Sequence, residues 1–125
     1  MTRLLDTSGI SRLSEPSVRA VVEPLVGAGR VGRAGITDLE VGYWGRNARE
    51  WDASMNDLDI FASVATTERH VHRARQVQRL LAARSPRGGK IPDLLIAAAA
   101  EEHDLVLLHY DTDFDLIKRV TRQRC

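Results

Sequence analysis

Four times along this chain a short apolar run ends in, or leads directly to, a carboxylate. The runs finish at Asp6, near Glu40, at Asp93, and at Asp111 with Asp113 close behind. The first is the shortest: Leu4 and Leu5 are followed at once by Asp6-Thr7-Ser8. Buried strands of parallel sheets read as brief apolar runs, and ligands gather beyond their carboxyl ends. A strand ending at Asp6 therefore places a carboxylate and two hydroxyls, Thr7 and Ser8, at the mouth of a site. The bland alternative is an Asx-type turn, in which Asp6 only bonds its own backbone. Recurrence of the pattern is what favours the site.

The segments between these runs are helical in pattern. Ser17 is a plausible N-cap for a helix bearing Val18, Val21, Val22, Leu25 and Val26, which Gly27 and Gly29 end. Residues 30–36 then read as a second strand. Thr37-Asp38-Leu39-Glu40 matches a capping box, a complete structural role for Glu40, although its position also favours the sheet edge. Between Val41 and Met55, Val41, Trp44 and Trp51 fall on one helical face and read as a core or dimer-interface stripe. Residues 57–61 read as a turn and third strand. Thr66 or Thr67 caps a helix running to about Arg84, with Val71, Ala74, Val77, Leu80 and Leu81 on its apolar face. Arg69, Arg73, Arg75 and Arg79 lie outside that face, either solvated or facing RNA. Residues 85–90 form a loop. Pro92 suits a first helical position, so Asp93 falls in the first turn of a helix whose Leu94–Ala100 run is wholly apolar. Residues 105–108 are the strongest strand, and 120–124 a last edge strand. This alternation predicts a parallel sheet with helices on both faces.

Composition excludes several classes. At 125 residues, 43% apolar and 28% charged, the chain reads as one globular domain over residues 1–125. No apolar run reaches the roughly 20 residues that span a bilayer, and the N-terminus lacks a signal-peptide pattern. The single cysteine, Cys125, cannot form an internal disulfide, which fits a cytoplasmic location. A net charge of +1 argues against nonspecific polyanion binding by the whole surface. Sixteen arginines against two lysines suit phosphate recognition, but a GC-rich genome gives the same bias.

Converging carboxylates repel one another unless protons or cations intervene. An oxygen-only donor set selects hard cations such as Mg²⁺ or Mn²⁺. His70 and His72, two apart on a helix, cannot share a ligand site on one face. A phosphoryl-accepting receiver domain would want an acidic pair at the first strand and a lysine near the last. Here Asp6 stands alone, and the lysines are Lys90 and Lys118.

Leu-Leu-Asp-Thr-Ser, Ile-Thr-Asp-Leu-Glu, Ile-Pro-Asp-Leu-Leu-Ile-Ala-Ala-Ala-Ala and Leu-Leu-His-Tyr-Asp-Thr-Asp-Phe, in this order, resemble the PIN-domain nucleases. Their spacing is most similar to the VapC-type toxins of bacterial toxin–antitoxin pairs. The resemblance implies a three-layer α/β/α sandwich around a mostly parallel five-stranded sheet with the first strand at its centre. It implies an endoribonuclease dependent on Mg²⁺, or Mn²⁺, with Asp6, Glu40, Asp93 and Asp111 as catalytic and metal-binding residues. Asp113, Thr7 and Ser8 would be accessory. It also implies an RNA substrate, a homodimer and a cognate VapB-type antitoxin. Gly9 departs from the family, which more often has alanine there, and should relax local rigidity without touching the chemistry. A non-catalytic RNA- or protein-binding module on the same fold is the competing reading.

Overall fold

A computed structural model describes residues 1–84, 90–110, 114, 115, 117, 118, 121, 124 and 125. Its centre is β1 (Arg3–Leu5), whose Leu4 and Leu5 are fully buried. Burying each leucine contributes about 2 kcal/mol, enough to hold so short a strand in place. β1 pairs in parallel with β2 (Val31–Ala34) on one side and β4 (Val106–Leu108) on the other. β3 (Ala62–Val64) extends the sheet beyond β2, giving the order β3-β2-β1-β4. The sheet thus has four strands among the described residues. The expected fifth, at 120–124, falls partly outside them, although Leu107 N donates to Arg124 O at 2.9 Å along the free edge of β4.

Two apolar clusters close the layers. One joins Leu4, Ala34 and Leu107 to α5 (Glu68–Arg84) and α6 (Ile91–Glu102). The other joins Leu5, Val31 and Phe61 to α2 (Pro16–Gly27). Their division matches the pleat of β1, where Leu4 and Leu5 point to opposite faces. α6 is buried almost all round, as its apolar run requires, and Ala97 to Ala100 let it lie close against its neighbours.

Several boundaries differ from expectation, each for a local reason. α2 begins at Pro16, with Glu15 rather than Ser17 at the N-cap position, because proline is preorganised for the first helical turn. Its C-terminus is a Schellman motif: Gly29, at φ 66°, and Arg30 donate to Val26 O and Leu25 O, each at 2.9 Å. β2 stops at Ala34 because α3 (Gly35–Tyr43) starts immediately after it. In α6, Pro92 occupies the second helical position and Asp93 the third. Residues 57–61 hold no strand: Leu58 closes α4 (Ala48–Leu58), and β3 begins only at Ala62.

The aromatic segment is not one helix. α3 ends at Tyr43, and Asn47 caps α4, its side chain accepting from Glu50 N at 2.9 Å. Trp51 lies over Gly42, where an added Cβ would meet the indole nitrogen at 2.6 Å. Tyr43 and Trp44 remain mostly exposed, so this face is not core. On α5 the buried stripe is His70, Ala74, Val77 and Leu81; Val71 and Leu80 lie outside it. A histidine thus occupies a place that apolar periodicity alone would not assign.

Candidate functional site

Asp6 follows β1 without a break, and its backbone N–H donates to Leu108 O at 3.1 Å, continuing the ladder to β4. It is the N-cap of the short helix α1 (Thr7–Ser11), with Oδ1 accepting from Gly9 N at 3.0 Å. The turn reading and the edge reading therefore describe one residue in one conformation. The Ser8 hydroxyl lies 2.8 Å from both Asp6 carboxylate oxygens and accepts from Tyr110 N at 2.9 Å. Asp6 is only 1% exposed, and burial raises its pKa above the ordinary aspartate value. The bonds from Ser8 and Gly9 and the nearby His109 act in the opposite direction without cancelling that cost. A carboxylate held against its own solvation is a group poised to accept a cation.

Gly9 lies close against β1. A Cβ there would lie 2.3 Å from Leu5 Cδ1, and Leu5 is fully buried. Its N–H holds Asp6, a bond that an alanine would keep if the end of the Leu5 side chain shifted.

Glu40 reaches the same edge from β2. The expected Thr37–Glu40 capping box does not form, because α3 starts at Gly35 and Glu40 lies beyond the first turn. The helix start is instead capped from a distant segment, with Ile36 N donating to Thr66 Oγ1 at 3.0 Å. Gly35 permits that approach, since a Cβ would meet Thr66 N at 3.3 Å. Relieved of capping, Glu40 accepts from the Thr7 hydroxyl at 2.5 Å, and the buried Thr37 hydroxyl lies 3.4 Å from Thr7. Thr7 and Ser8 thus tie the carboxylate that follows β1 and the one carried by α3 into one polar edge.

Arg33, buried on β2, fixes α3 in this position. Its guanidinium donates to Asp38 Oδ1 at 2.7 Å, to Leu58 O at 2.8 Å, and to Phe61 O. Sequence reading missed it, and its signal was slight: an arginine inside a strand needs buried acceptors.

Asp93, 5% exposed, sits in the first turn of α6, and α6 packs against α3. Asp111 and Asp113 lie outside the described residues. Oxygen donors with a partly desolvated aspartate fit a hard divalent cation. Among the described residues, the potential ligands that come within 4.8 Å of one another are elsewhere: His70, Glu102 and His103. That group has another explanation. Thr67 N donates to His70 Nδ1 at 3.2 Å while His70 N donates to Thr67 Oγ1 at 3.4 Å. This is a reciprocal capping box with histidine in place of glutamate. This bond occupies Nδ1 and leaves Nε2 facing Glu102. That contact, 2.7 Å between Nε2 and Glu102 Oε2, joins α5 to α6.

The PIN-domain family profile matches residues 3–120. The chain belongs to the PIN-domain family. Within it the chain stands with the VapC proteins. It is 63% identical over 122 residues to Ribonuclease VapC51 of Mycobacterium tuberculosis (strain ATCC 25618 / H37Rv), covering 98% of this chain and 89% of that protein. It is 42% identical over 123 residues to Ribonuclease VapC21 of the same strain, covering 96% and 88%. The PIN fold is also that of VapBC2 from Rickettsia felis bound to a promoter DNA fragment, with TM-score 0.81 at 15% identity, covering 99% of this chain and 96% of that one. DNA-bound VapBC from Salmonella typhimurium gives TM-score 0.78 at 18% identity, with coverage of 99% and 96%. For this PIN domain, β1 at the sheet centre and helices on both faces agree with the expected three-layer architecture.

Proposed function

We propose that this PIN-domain protein is a metal-dependent endoribonuclease, the toxin of a toxin–antitoxin pair, acting in the cytoplasm as a single domain. The observation that carries the reading is the buried Asp6 carboxylate, joined through Ser8 and Thr7 to β4 and to Glu40. Asp6, Asp93 and Asp111 would hold Mg²⁺ or Mn²⁺, with Glu40 as a further ligand or the group that orients the attacking water, and Asp113 accessory. Such an ion lowers the pKa of bound water and stabilises charge on the phosphoryl oxygens. Thr7 fixes the Glu40 carboxylate, and Ser8 fixes that of Asp6, so neither has to be ordered during turnover. RNA is the substrate that the two VapC ribonucleases support.

The direct test is cleavage of a mixed RNA pool with and without EDTA, read alongside the melting curve. Cleavage should stop in EDTA and return with excess Mg²⁺, while the fold survives. Unfolding in EDTA would make the metal structural and remove the support for this site.

No helix among the described residues is long and apolar enough to cross a membrane. For a VapB-type antitoxin we infer docking on a groove of ≈ 450 Å³ lined by Ile10, Leu13, Val41 and Phe61 together with Arg19 and Asp57, beside the two helices that carry site residues. The open apolar face of Leu39, Tyr43, Trp44 and Trp51 supports a homodimer, since a patch of this kind on a small domain marks an interface. Light scattering at micromolar concentration should give twice 13.9 kDa. A monomer there would assign the face to another partner.

A further inference from the structure

Tyr110 is the first residue beyond His109 after β4, and half of it is open to solvent at 49% exposure. Its backbone is nevertheless anchored, because its N–H donates to the same Ser8 hydroxyl that holds Asp6. The backbone that carries this exposed ring is thus one hydroxyl away from the central carboxylate. The Arg12 guanidinium carbon lies 5.5 Å from the centre of that ring, a cation–π arrangement. Its other partner, Glu15 at 3.4 Å, is a half-exposed ion pair of the kind that water and salt weaken. Tyr110 also borders a cleft of ≈ 200 Å³ walled by Leu5, Val22, Leu108, His109 and Cys125. That is below the range of drug-sized ligand pockets and in scale with one flat ring.

Single-stranded RNA is held by this combination: aromatic or guanidinium planes for its splayed bases and positive charge for its phosphates. We propose that Tyr110, Arg12 and the adjoining cleft form the platform that holds a nucleotide flanking the cleavage point. Tyr110 supplies the stacking face, and Arg12 covers that ring and meets a phosphate. This deepens the nuclease reading and rests on it. It assigns substrate positioning to two residues that take no part in holding metal. The carboxylate edge provides hydrolysis without reading bases, so the platform is where base preference would enter.

The experiment compares Tyr110→Ala, Tyr110→Phe and Arg12→Gln on a short single-stranded RNA, with circular dichroism as the folding control. Tyr110→Ala should raise KM about tenfold with kcat within about twofold, the loss of one stacked base. Tyr110→Phe keeps the ring and should match the parent. Arg12→Gln should raise KM and shallow the dependence of log affinity on log salt by about 0.7, one phosphate on a single strand. A substrate made abasic at the stacked position should bind both tyrosine variants and the parent alike. Anisotropy titration of the same RNA on Asp6→Asn, with and without Tyr110→Ala, reads the platform apart from turnover. Parent cleavage indifferent to Tyr110→Ala overturns the platform alone. So does equal loss in Tyr110→Phe, or weakened antitoxin binding with unchanged RNA binding. Parent protein that binds the RNA through Tyr110 but never cleaves RNA overturns the nuclease reading and leaves the platform standing.

Discussion

Asp6→Asn should reduce RNA cleavage by on the order of 10³-fold while raising the melting temperature of the metal-free protein. The rate loss follows from removing a metal-binding charge, since the several kcal/mol that such an ion contributes correspond to about tenfold per 1.4 kcal/mol. The stability gain follows from burial. Asp6 is almost wholly enclosed, and its pKa is raised by that desolvation. The folded state therefore binds the proton more tightly than the unfolded chain does. The resulting stabilisation is complete below the unfolded pKa and is lost as pH rises through the folded one. Metal-free parent protein should lose stability over that rise, and the asparagine variant should not share this component. Asn keeps an oxygen for the Gly9 N–H, so the cap survives. Melting curves in EDTA across acid to neutral pH check the sign. A lower melting temperature for Asp6→Asn at neutral pH would show that the charge itself, as acceptor from Ser8 and Gly9, outweighs its desolvation. Full ribonuclease activity in this variant would remove Asp6 from the site.

Glu40→Gln should be nearly silent in stability and lower the rate by about 100-fold, the upper range for a residue that orients the ligands of a metal site. Glu40 lies outside the first turn of α3, whose start is capped by Thr66 from another segment. The Thr7 hydroxyl can still donate to a glutamine carbonyl, so the local geometry should hold. What disappears is the negative charge. Loss of activity with an unchanged melting curve assigns Glu40 to metal or water; activity within twofold of the parent would leave it a structural acceptor for Thr7. Asp93→Asn should follow Asp6→Asn in rate.

Much of the fold was legible because its signals are local. The brevity of Leu4-Leu5, the unbroken Leu94–Ala100 run and the strand at 105–108 each reflect burial on a parallel sheet, and all three elements are where the pattern puts them. The burial of Asp6 follows from the same kind of signal, a carboxylate directly after a buried strand, whereas Asp93 is buried in the first turn of α6, ahead of its apolar run. The aspartates after β4, Asp111 and Asp113, fall outside the described residues, so their division of labour rests on the resemblance to the family alone.

What the sequence by itself determined is the chemistry available: an oxygen-rich set of acids beside short apolar runs, with no competing cysteine cluster, in the order that marks a PIN domain. The tertiary structure decided which local bonds are actually made. Thr37-Asp38-Leu39-Glu40 satisfies a capping box on paper, but Thr66, 30 residues away, reaches Ile36 N first, and the box forms instead at Thr67 and His70. That choice is not encoded in either segment. It depends on parallel pairing of β2 with β3, which brings the start of α3 beside the Thr66-Thr67 connection. The same pairing frees Glu40 to meet Thr7 and buries Arg33 among acceptors from three other parts of the chain. Backbone donors at a helix start must be satisfied by something, and only the assembled fold determines which hydroxyl is nearest.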